Sequence, residues 1–254
     1  MTTQPKIAII TGANRGLGRS AALRLAEDGV DLIITYRSHG EEADAVVDAV
    51  AGLGRTAVAL PLDTGRAESF DRFTDDVRRV LKDRWGRESF DFLVNNAGGS
   101  LTASFAETTP EGFDELVNVH FRGVYFLTQR LVPVIADGGR VLNVSTGLTR
   151  FTGQGASAYA SVKGAVEVLT RYLAKELGPR GITVNTVAPG PVATDFAGGV
   201  IRDNERFRAL LDSQTALGRV GRPEDIGGVV ASLLSENTGW ITGQRIEASG
   251  GTLL

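Results

Sequence analysis

The strongest restriction on this chain is an alternation of short apolar runs with amphipathic segments, sustained from end to end and punctuated by glycine. Residues 6–10 form a brief apolar run that breaks at Thr11-Gly12. Gly16 then opens a stretch in which Leu17, Ala21, Ala22, Leu25 and Ala26 recur at helical spacing, and Gly29 stops it. The pattern repeats. Further strands are expected over 31–35, 56–60, 92–94, 140–144, 182–187 and 240–247. Further helices are expected over 41–53, 66–85, 110–136 (ended by Gly138-Gly139), 158–177 and 223–234. Alternation of this kind makes an α/β fold with a parallel sheet and helices on both faces. No repeat or hydrophilic linker divides the chain, so residues 1–254 read as one domain. Residues 190–217 lack a strand pattern and read as a long loop with short helices, a place where function often lies.

Composition narrows the chemistry. There is no Cys, which excludes disulfides, thiolate metal sites and a thiol nucleophile. With His39 and His120 as the only histidines, no metal site is expected, and a Ser-His-Asp triad would need one of those two. A net charge of −3 leaves no basic footprint for nucleic acid or an anionic membrane. Residues 1–5 lack a basic stretch followed by an apolar one, so no secretory leader is expected. Apolar runs such as 227–234 fall well short of the roughly 20 residues that span a bilayer. The expectation is a cytoplasmic protein. Glycine is the outlier, with 32 residues, well above the usual share of about 7%.

Part of that excess sits at the first strand–helix join, Thr11-Gly12-Ala13-Asn14-Arg15-Gly16-Leu17-Gly18. Glycines there permit a tight turn and let the backbone approach a pyrophosphate at a helix N-terminus. The spacing is G-x-x-x-G-x-G, not the G-x-G-x-x-G fingerprint. Nucleotide choice is read at the end of the second strand, where an acidic residue would bind the ribose 2′-hydroxyl of NAD. The window Thr35-Tyr36-Arg37-Ser38 has no carboxylate. Arg37 and Arg15 could instead converge on a 2′-phosphate, which points to NADP over NAD.

Tyr159 and Lys163 stand at i and i+4, on one face of an expected helix. A neighbouring ammonium favours a phenolate, which makes the pair a candidate general acid/base. Ser145 and Thr146 lie at the carboxyl end of the fifth expected strand, where ligands bind in such sheets. A hydroxyl there could donate to a substrate carbonyl as it gains charge.

Taken together, Thr11–Gly18, Asn95-Asn96-Ala97-Gly98, Asn118, Ser145-Thr146, Tyr159 with Lys163, and Pro189-Gly190 resemble the short-chain dehydrogenase/reductase family, in its order and over essentially the whole chain. Within it the chain is similar to single-domain members of the 3-oxoacyl-carrier-protein reductase type. The resemblance implies a Rossmann-type doubly wound parallel sheet of about seven strands. It implies that Tyr159 exchanges a proton with the substrate oxygen, that Lys163 lowers its pKa and binds the nicotinamide ribose, and that Asn118 helps hold a water of a proton relay. The implied cofactor contacts are Gly12, Asn14, Arg15, Gly16, Leu17 and Gly18 in the turn, Arg37, Asp63 on the adenine side, and Asn95, Ala97 and Gly98 along the cleft. Tyr159, Lys163, Pro189, Gly190, Val192 and Thr194 complete them at the nicotinamide. The family's third catalytic residue is usually Ser. Its commonest spacing from Tyr159 falls on Thr146, so Thr146 is preferred to Ser145 as the catalytic hydroxyl.

His120, two residues after Asn118 on a helix, lies on a different face and reads as structural or interfacial. His39 reads as solvated. Phe113, Phe121, Tyr125 and Phe126 suit core and subunit contacts, and the resemblance implies a homotetramer or homodimer, with residues 240–254 in a second interface. Ala103, Phe105, Phe151 and Phe196 are candidates for an apolar substrate lining. The leading function is NADP-dependent hydride transfer between nicotinamide and a small-molecule carbonyl or secondary alcohol. NAD-dependent alcohol dehydrogenation, an isomerase or dehydratase on the same scaffold, and a non-catalytic NADP-binding sensor are the alternatives.

Overall fold

The computed structural model describes residues 5–254. The expectation about residues 1–5 therefore falls, but for Pro5, outside the described residues. Seven strands form one sheet in the order β3-β2-β1-β4-β5-β6-β7, every pair parallel. They are β1 Ile7–Ile10, β2 Asp31–Tyr36, β3 Ala57–Pro61, β4 Phe90–Asn95, β5 Ile135–Val144, β6 Thr183–Pro189 and β7 Arg245–Ala248. The order runs one way from β1 through β3 and the other way from β4 to β7. The carboxyl ends of β1 and β4 thus flank the switch point at which doubly wound sheets open a ligand crevice.

The sheet is buried on both sides because its central strands are apolar throughout. Every β1 residue is fully buried. Successive side chains point to opposite faces, so Ala8 and Ile10 join one core and Ile7 and Ile9 the other. On the first face pack α1 Gly16–Glu27, α2 Gly40–Gly52 and α9 Pro223–Leu234. On the second pack α3 Phe70–Trp85, α5 Gly123–Leu131 and α6 Ser157–Leu177.

The expected helix over 110–136 is instead three pieces. α4 Pro110–Val117 starts where Thr109 Oγ1 accepts from Gly112 N. A π-turn, Asn118–Arg122, follows, closed by Gly123 N donating to the Asn118 carbonyl. α5 then runs to Leu131, and Pro133, which lacks an N–H, ends it in a short 3₁₀ turn. Gly138-Gly139 does not stop the helix but lies inside β5, beside a register shift between Phe90 and Phe92. A Cβ on Gly139 would sit 2.7 Å from the Asp91 carbonyl oxygen, so the bare backbone is what lets these strands close up.

The strand expected over 240–247 is confined to β7, and Trp240 is 99% exposed. Segment 190–217 carries a 3₁₀ turn Phe196–Gly199 and two short helices, α7 Val200–Asp203 and α8 Glu205–Ser213. Among the described residues no helix is long and apolar enough to cross a membrane.

Candidate active site

The glycine-rich turn leaves β1 at the switch point and is held from across the crevice. Thr11 Oγ1 accepts from the backbone N–H groups of Asn96 and Ala97 at 3.0 and 2.9 Å. The Asn96 amide donates to the carbonyls of Thr11 and Gly12 at 2.9 and 3.0 Å. Gly12 has φ +63°, and a Cβ on it would lie 2.9 Å from Ala97 Cα; one on Gly18 would lie 2.4 Å from the Gly12 carbonyl oxygen. Gly16 is different, with φ +57° and no atom within 4 Å of its would-be Cβ. Two glycines therefore serve tight packing, and the third leaves the start of α1 unobstructed, as a bound pyrophosphate requires. The Asn14 amide donates to Glu42 Oε2 at 2.7 Å, which ties the turn to α2.

Asn96, part of the Asn95–Gly98 motif but not among the expected cofactor contacts, is the clasp of this turn. Its neighbour Asn95 does not turn its side chain to the crevice. It is 3% exposed and donates to Thr128 Oγ1 and Asn143 Oδ1 at 3.0 and 2.8 Å. Asn143 donates in turn to Thr170 Oγ1 at 2.9 Å. Asn95 thus steadies the central sheet from the helix side, and Ala97 and Gly98 follow at the crevice.

Beyond the end of β2 an open cleft of about 400 Å³ is lined by Arg37, Asp63, Gly65, Arg66, Asn118 and Val119, together with the three α4 carboxylates Glu111, Asp114 and Glu115. Asp63 Oδ1 accepts from Gly65 N at 2.9 Å, which shapes the loop after β3. Arg15 and Arg37 are exposed, and residues 35–38 at the end of β2 carry no carboxylate of their own. These residues fit a dinucleotide with a phosphorylated ribose.

Asn118 lines this cleft, and its expected part in a proton relay beside Lys163 rests on the resemblance alone. Position 118 does lie on a different face from 120, as the spacing indicates, but the face turned to Tyr159 is that of His120. The His120 and Tyr159 rings meet edge to face, 5.3 Å between centroids. His120 is 1% exposed and is no surface residue. Its Nε2 lies 2.8 Å from the Gly99 carbonyl oxygen. A Cβ on Gly98 would come within 2.5 Å of its Cε1, so only glycine admits the ring there.

Tyr159 and Lys163 share one face of α6, as the i, i+4 spacing requires. The Lys163 Nζ lies 5.9 Å from the Tyr159 ring centroid and donates to the Val144 carbonyl at 2.7 Å. Desolvation pushes the Tyr159 phenol above its ordinary value. The expected lowering by the ammonium is outweighed, because burial opposes the phenolate and the charge stands at some distance. Burial also brings Lys163 down to about 8, so the ammonium still prevails at pH 7. His120 is pushed down to about 3, first by burial and then by the Lys163 charge.

The two hydroxyls of the β5 end part company. Ser145 Oγ donates to Glu167 Oε1 at 2.6 Å, an oxygen that also receives Thr149 Oγ1 at 2.7 Å and Arg245 Nε at 2.9 Å. Thr146 Oγ1 accepts a long bond from Leu148 N at 3.3 Å and keeps its proton available. At the end of β6, Pro189 is buried, Gly190 packs so closely on Ser249 that a Cβ would lie 2.7 Å from its Cα, and Val192 pairs with Gly221. Thr194 Oγ1 accepts from Phe196 N at 3.2 Å. Phe196 itself reaches Tyr159, with 5.9 Å between ring centroids, whereas Phe105 projects outward at 89% exposure. Phe151 packs on Gly147, and Ala103 pairs through its backbone with Gly155.

A doubly wound sheet with a glycine turn at its switch point, and a Tyr–Lys pair on the helix after β5, defines a dinucleotide-dependent oxidoreductase. The comparisons agree. The family profile described as Enoyl-(Acyl carrier protein) reductase matches residues 12–252. The chain belongs to the short-chain dehydrogenase/reductase family. It is 33% identical to a 3-oxoacyl-[acyl-carrier-protein] reductase of Staphylococcus aureus, over 97% of each chain. A solved structure of LugOII, a promiscuous reductase that catalyzes keto-reduction at C1 during lugdunomycin biosynthesis, superposes with a TM-score of 0.93 at 37% identity, over 98% of each chain. The angucycline C-6 ketoreductase LanV, solved with bound NADP, superposes with a TM-score of 0.92 at 38% identity, covering 98% of this chain and 95% of that one.

Proposed function

We propose that this protein is an NADPH-dependent ketone reductase, reversible as a secondary-alcohol dehydrogenase. The observation that supports it is the Tyr159–Lys163 pair on one face of α6, with Lys163 Nζ 5.9 Å from the Tyr159 ring and bonded to the Val144 carbonyl at the end of β5, two residues before Thr146. NADPH, when bound, supplies the hydride. Arg15 and Arg37 would hold its 2′-phosphate, the turn from Gly12 to Gly18 its pyrophosphate, and the Pro189–Thr194 segment its nicotinamide. The NADP-bound LanV relative supports that choice over NAD.

The chain's own part is to manage charge on one oxygen. As the carbonyl oxygen gains negative charge, the neutral Tyr159 phenol gives it a proton, and the Thr146 hydroxyl donates a hydrogen bond. The Lys163 ammonium, fixed by the Val144 carbonyl, stabilises the phenolate left behind. Phe196 lies against the Tyr159 ring, with 5.9 Å between centroids. Loop 190–217 thus forms one wall of the substrate pocket, and the nearby Phe151 suits it to an apolar ketone. The exposed Phe113, Tyr125 and Phe126 of the α4–α5 arm and Val168 and Tyr172 of α6 support assembly of identical chains, as a dimer or tetramer.

The test is a panel of ketones and alcohols assayed with NADPH and with NADH, with Tyr159→Phe as control. The reading expects NADPH oxidation by the wild type, and NADPH binding without turnover in the variant. Tight NADPH binding with no turnover across the panel would favour a sensor instead.

A further inference from the structure

The turn after β5 that carries Thr146 is gripped from β7, two strands away in the sheet. Sheet pairing of β5 ends at Val144, and one more bond runs from Ser145 N to the Val187 carbonyl at 2.8 Å. Past that point Thr146 is anchored by its carbonyl oxygen, which receives Arg245 Nη2 at 3.2 Å and Thr149 Oγ1 at 2.9 Å. The Thr149 hydroxyl has one proton, and Glu167 Oε1, a carboxylate oxygen, is the nearer acceptor at 2.7 Å. The Thr149 backbone N–H reaches the Thr146 carbonyl only at 3.4 Å. Arg245 is therefore the charged donor on which that carbonyl depends. It lies in register with Thr186 of β6. Ile246 and Ala248 pack on the α1 side of the sheet, so Arg245 and Glu247 point to the α6 side. There Arg245 Nε donates to Glu167 Oε1 at 2.9 Å, and Nη1 to Glu247 Oε2 at 3.0 Å. Glu247 in turn takes Arg150 in a fork, Nε to Oε2 and Nη2 to Oε1, both at 2.7 Å. Two β7 residues, two positions apart, thus clamp the 146–150 turn at both ends.

We propose that Arg245 is a positioning residue for Thr146: its guanidinium fixes the Thr146 carbonyl, and so the backbone from which the hydroxyl is presented to the substrate oxygen, while Glu167 and Glu247 fix the guanidinium. The proposal rests on the reading of Thr146 as the catalytic hydroxyl. Each of the three guanidinium nitrogens has its own engagement, Nε on Glu167, Nη1 on Glu247 and Nη2 on Thr146, which leaves the planar head one orientation. An oxyanion donor has to sit at about 2.7–3.1 Å from the place where charge develops. Displacing a reacting group by about 1 Å costs up to about 10²-fold in rate. Without Arg245 the turn keeps its local 3₁₀ bonds but loses its tie to β7. Truncating Ser145 leaves that tie in place, because Arg245 and Glu167 remain bonded to each other.

A double-mutant cycle in NADPH-dependent ketone reduction separates this role from general support of the fold. Arg245→Met keeps much of the side chain's length and removes its donors. It is expected to lower kcat about 10-fold, with KM and the NADPH Kd within about twofold. In a Thr146→Ala background the same substitution should change kcat by less than about threefold, because the group it positions is already gone. A loss of about threefold or more in that background shows an effect that does not run through Thr146, and overturns the proposal. An Arg245→Met kcat within about threefold of the wild type overturns it as well. Should Arg245→Met fail to fold, Glu167→Gln/Arg245→Met, which strands no carboxylate at position 167, enters the same cycle with the same expectations. Thr146→Ala alone keeps the two readings apart. Wild-type turnover in Thr146→Ala sinks the assignment of the catalytic hydroxyl itself. A large loss in Thr146→Ala, beside an Arg245→Met effect that is absent or the same in both backgrounds, sinks the Arg245 role alone.

Discussion

Thr146→Ala and Ser145→Ala, one residue apart, should fail in different assays. In the proposed reaction Thr146 donates to the developing oxyanion, and removing one such donor costs about 10²–10³ in kcat. Its contribution to stability is small, because the bond it accepts from Leu148 N is long at 3.3 Å. Ser145 is the reverse. Its hydroxyl is committed to Glu167 Oε1 at 2.6 Å, a hydrogen bond to a carboxylate worth about 1.5–3 kcal/mol. Glu167 keeps Thr149 and Arg245 when Ser145 is truncated, so no buried charge is stranded and the cost falls at the low end, about 1.5 kcal/mol. For a chain of this size that lowers Tm by about 3–6 °C. The assay pairs steady-state ketone reduction with thermal melting of both variants. The expected pattern is a large kcat loss at unchanged Tm for Thr146→Ala, and a lowered Tm at near-normal kcat for Ser145→Ala. A larger kcat loss in Ser145→Ala would transfer the catalytic hydroxyl to Ser145 and refute the division drawn from the Glu167 network.

Three further outcomes follow from the same geometry. Arg37→Asp should weaken NADPH binding about 10–100-fold, the worth of one charge-assisted contact, and move preference toward NADH, measured as the ratio of kcat/KM for the two cofactors. Asn96→Ala leaves the Thr11 and Gly12 carbonyls without their donor and should cost about 2–4 kcal/mol in denaturant unfolding while raising the NADPH Kd. Lys163 is brought down to about 8 in the fold, so the unfolded chain holds more protons between pH 8 and the ordinary lysine value. Stability should therefore rise with pH through that window and turn over above pH 10, where the raised Tyr159 value acts in the opposite sense. Lys163→Met should abolish the rise, read from urea midpoints between pH 7 and 10.

The sheet was legible because its determinants are local. Apolar runs and glycine stops mark strands one by one, and the alternation permits little else. Helix ends were less so: the 110–136 stretch keeps an apolar periodicity through Pro133 and into β5, and only the missing proline N–H ends it. The site was legible where it depends on side chains spaced along one regular helix, as for Tyr159 and Lys163. It was less legible where it depends on which face of an element meets the crevice. Asn95 is the last residue of β4 and turns inward with its strand, leaving Asn96 to clasp the turn. Asn118 and His120 sit in a π-turn between two helices, so no periodicity carried from α4 says which of them faces α6. Only the packing of Gly123 decides it. A Cβ there would lie 2.2 Å from the Thr64 carbonyl oxygen, so the helix is drawn against the loop after β3, and Asn118 comes to the Asp63 cleft while His120 comes to Tyr159.

The direction of the three perturbed groups gives this arrangement its chemical sense. Burial raises Tyr159 and lowers both Lys163 and His120, so each is pushed toward its neutral form. The pocket therefore disfavours standing charge, and yet it keeps one ammonium, tethered to Val144. In such a medium a fixed charge acts more strongly on a new charge beside it than it would in water. The resting phenol, at some distance from that ammonium, feels little of it and keeps its proton. A phenolate formed during reaction has the full attraction to gain. In the proposed reaction Tyr159 is thus a neutral donor before the transfer and a stabilised anion after it, and the difference between those states is where the protein's contribution to the rate would lie.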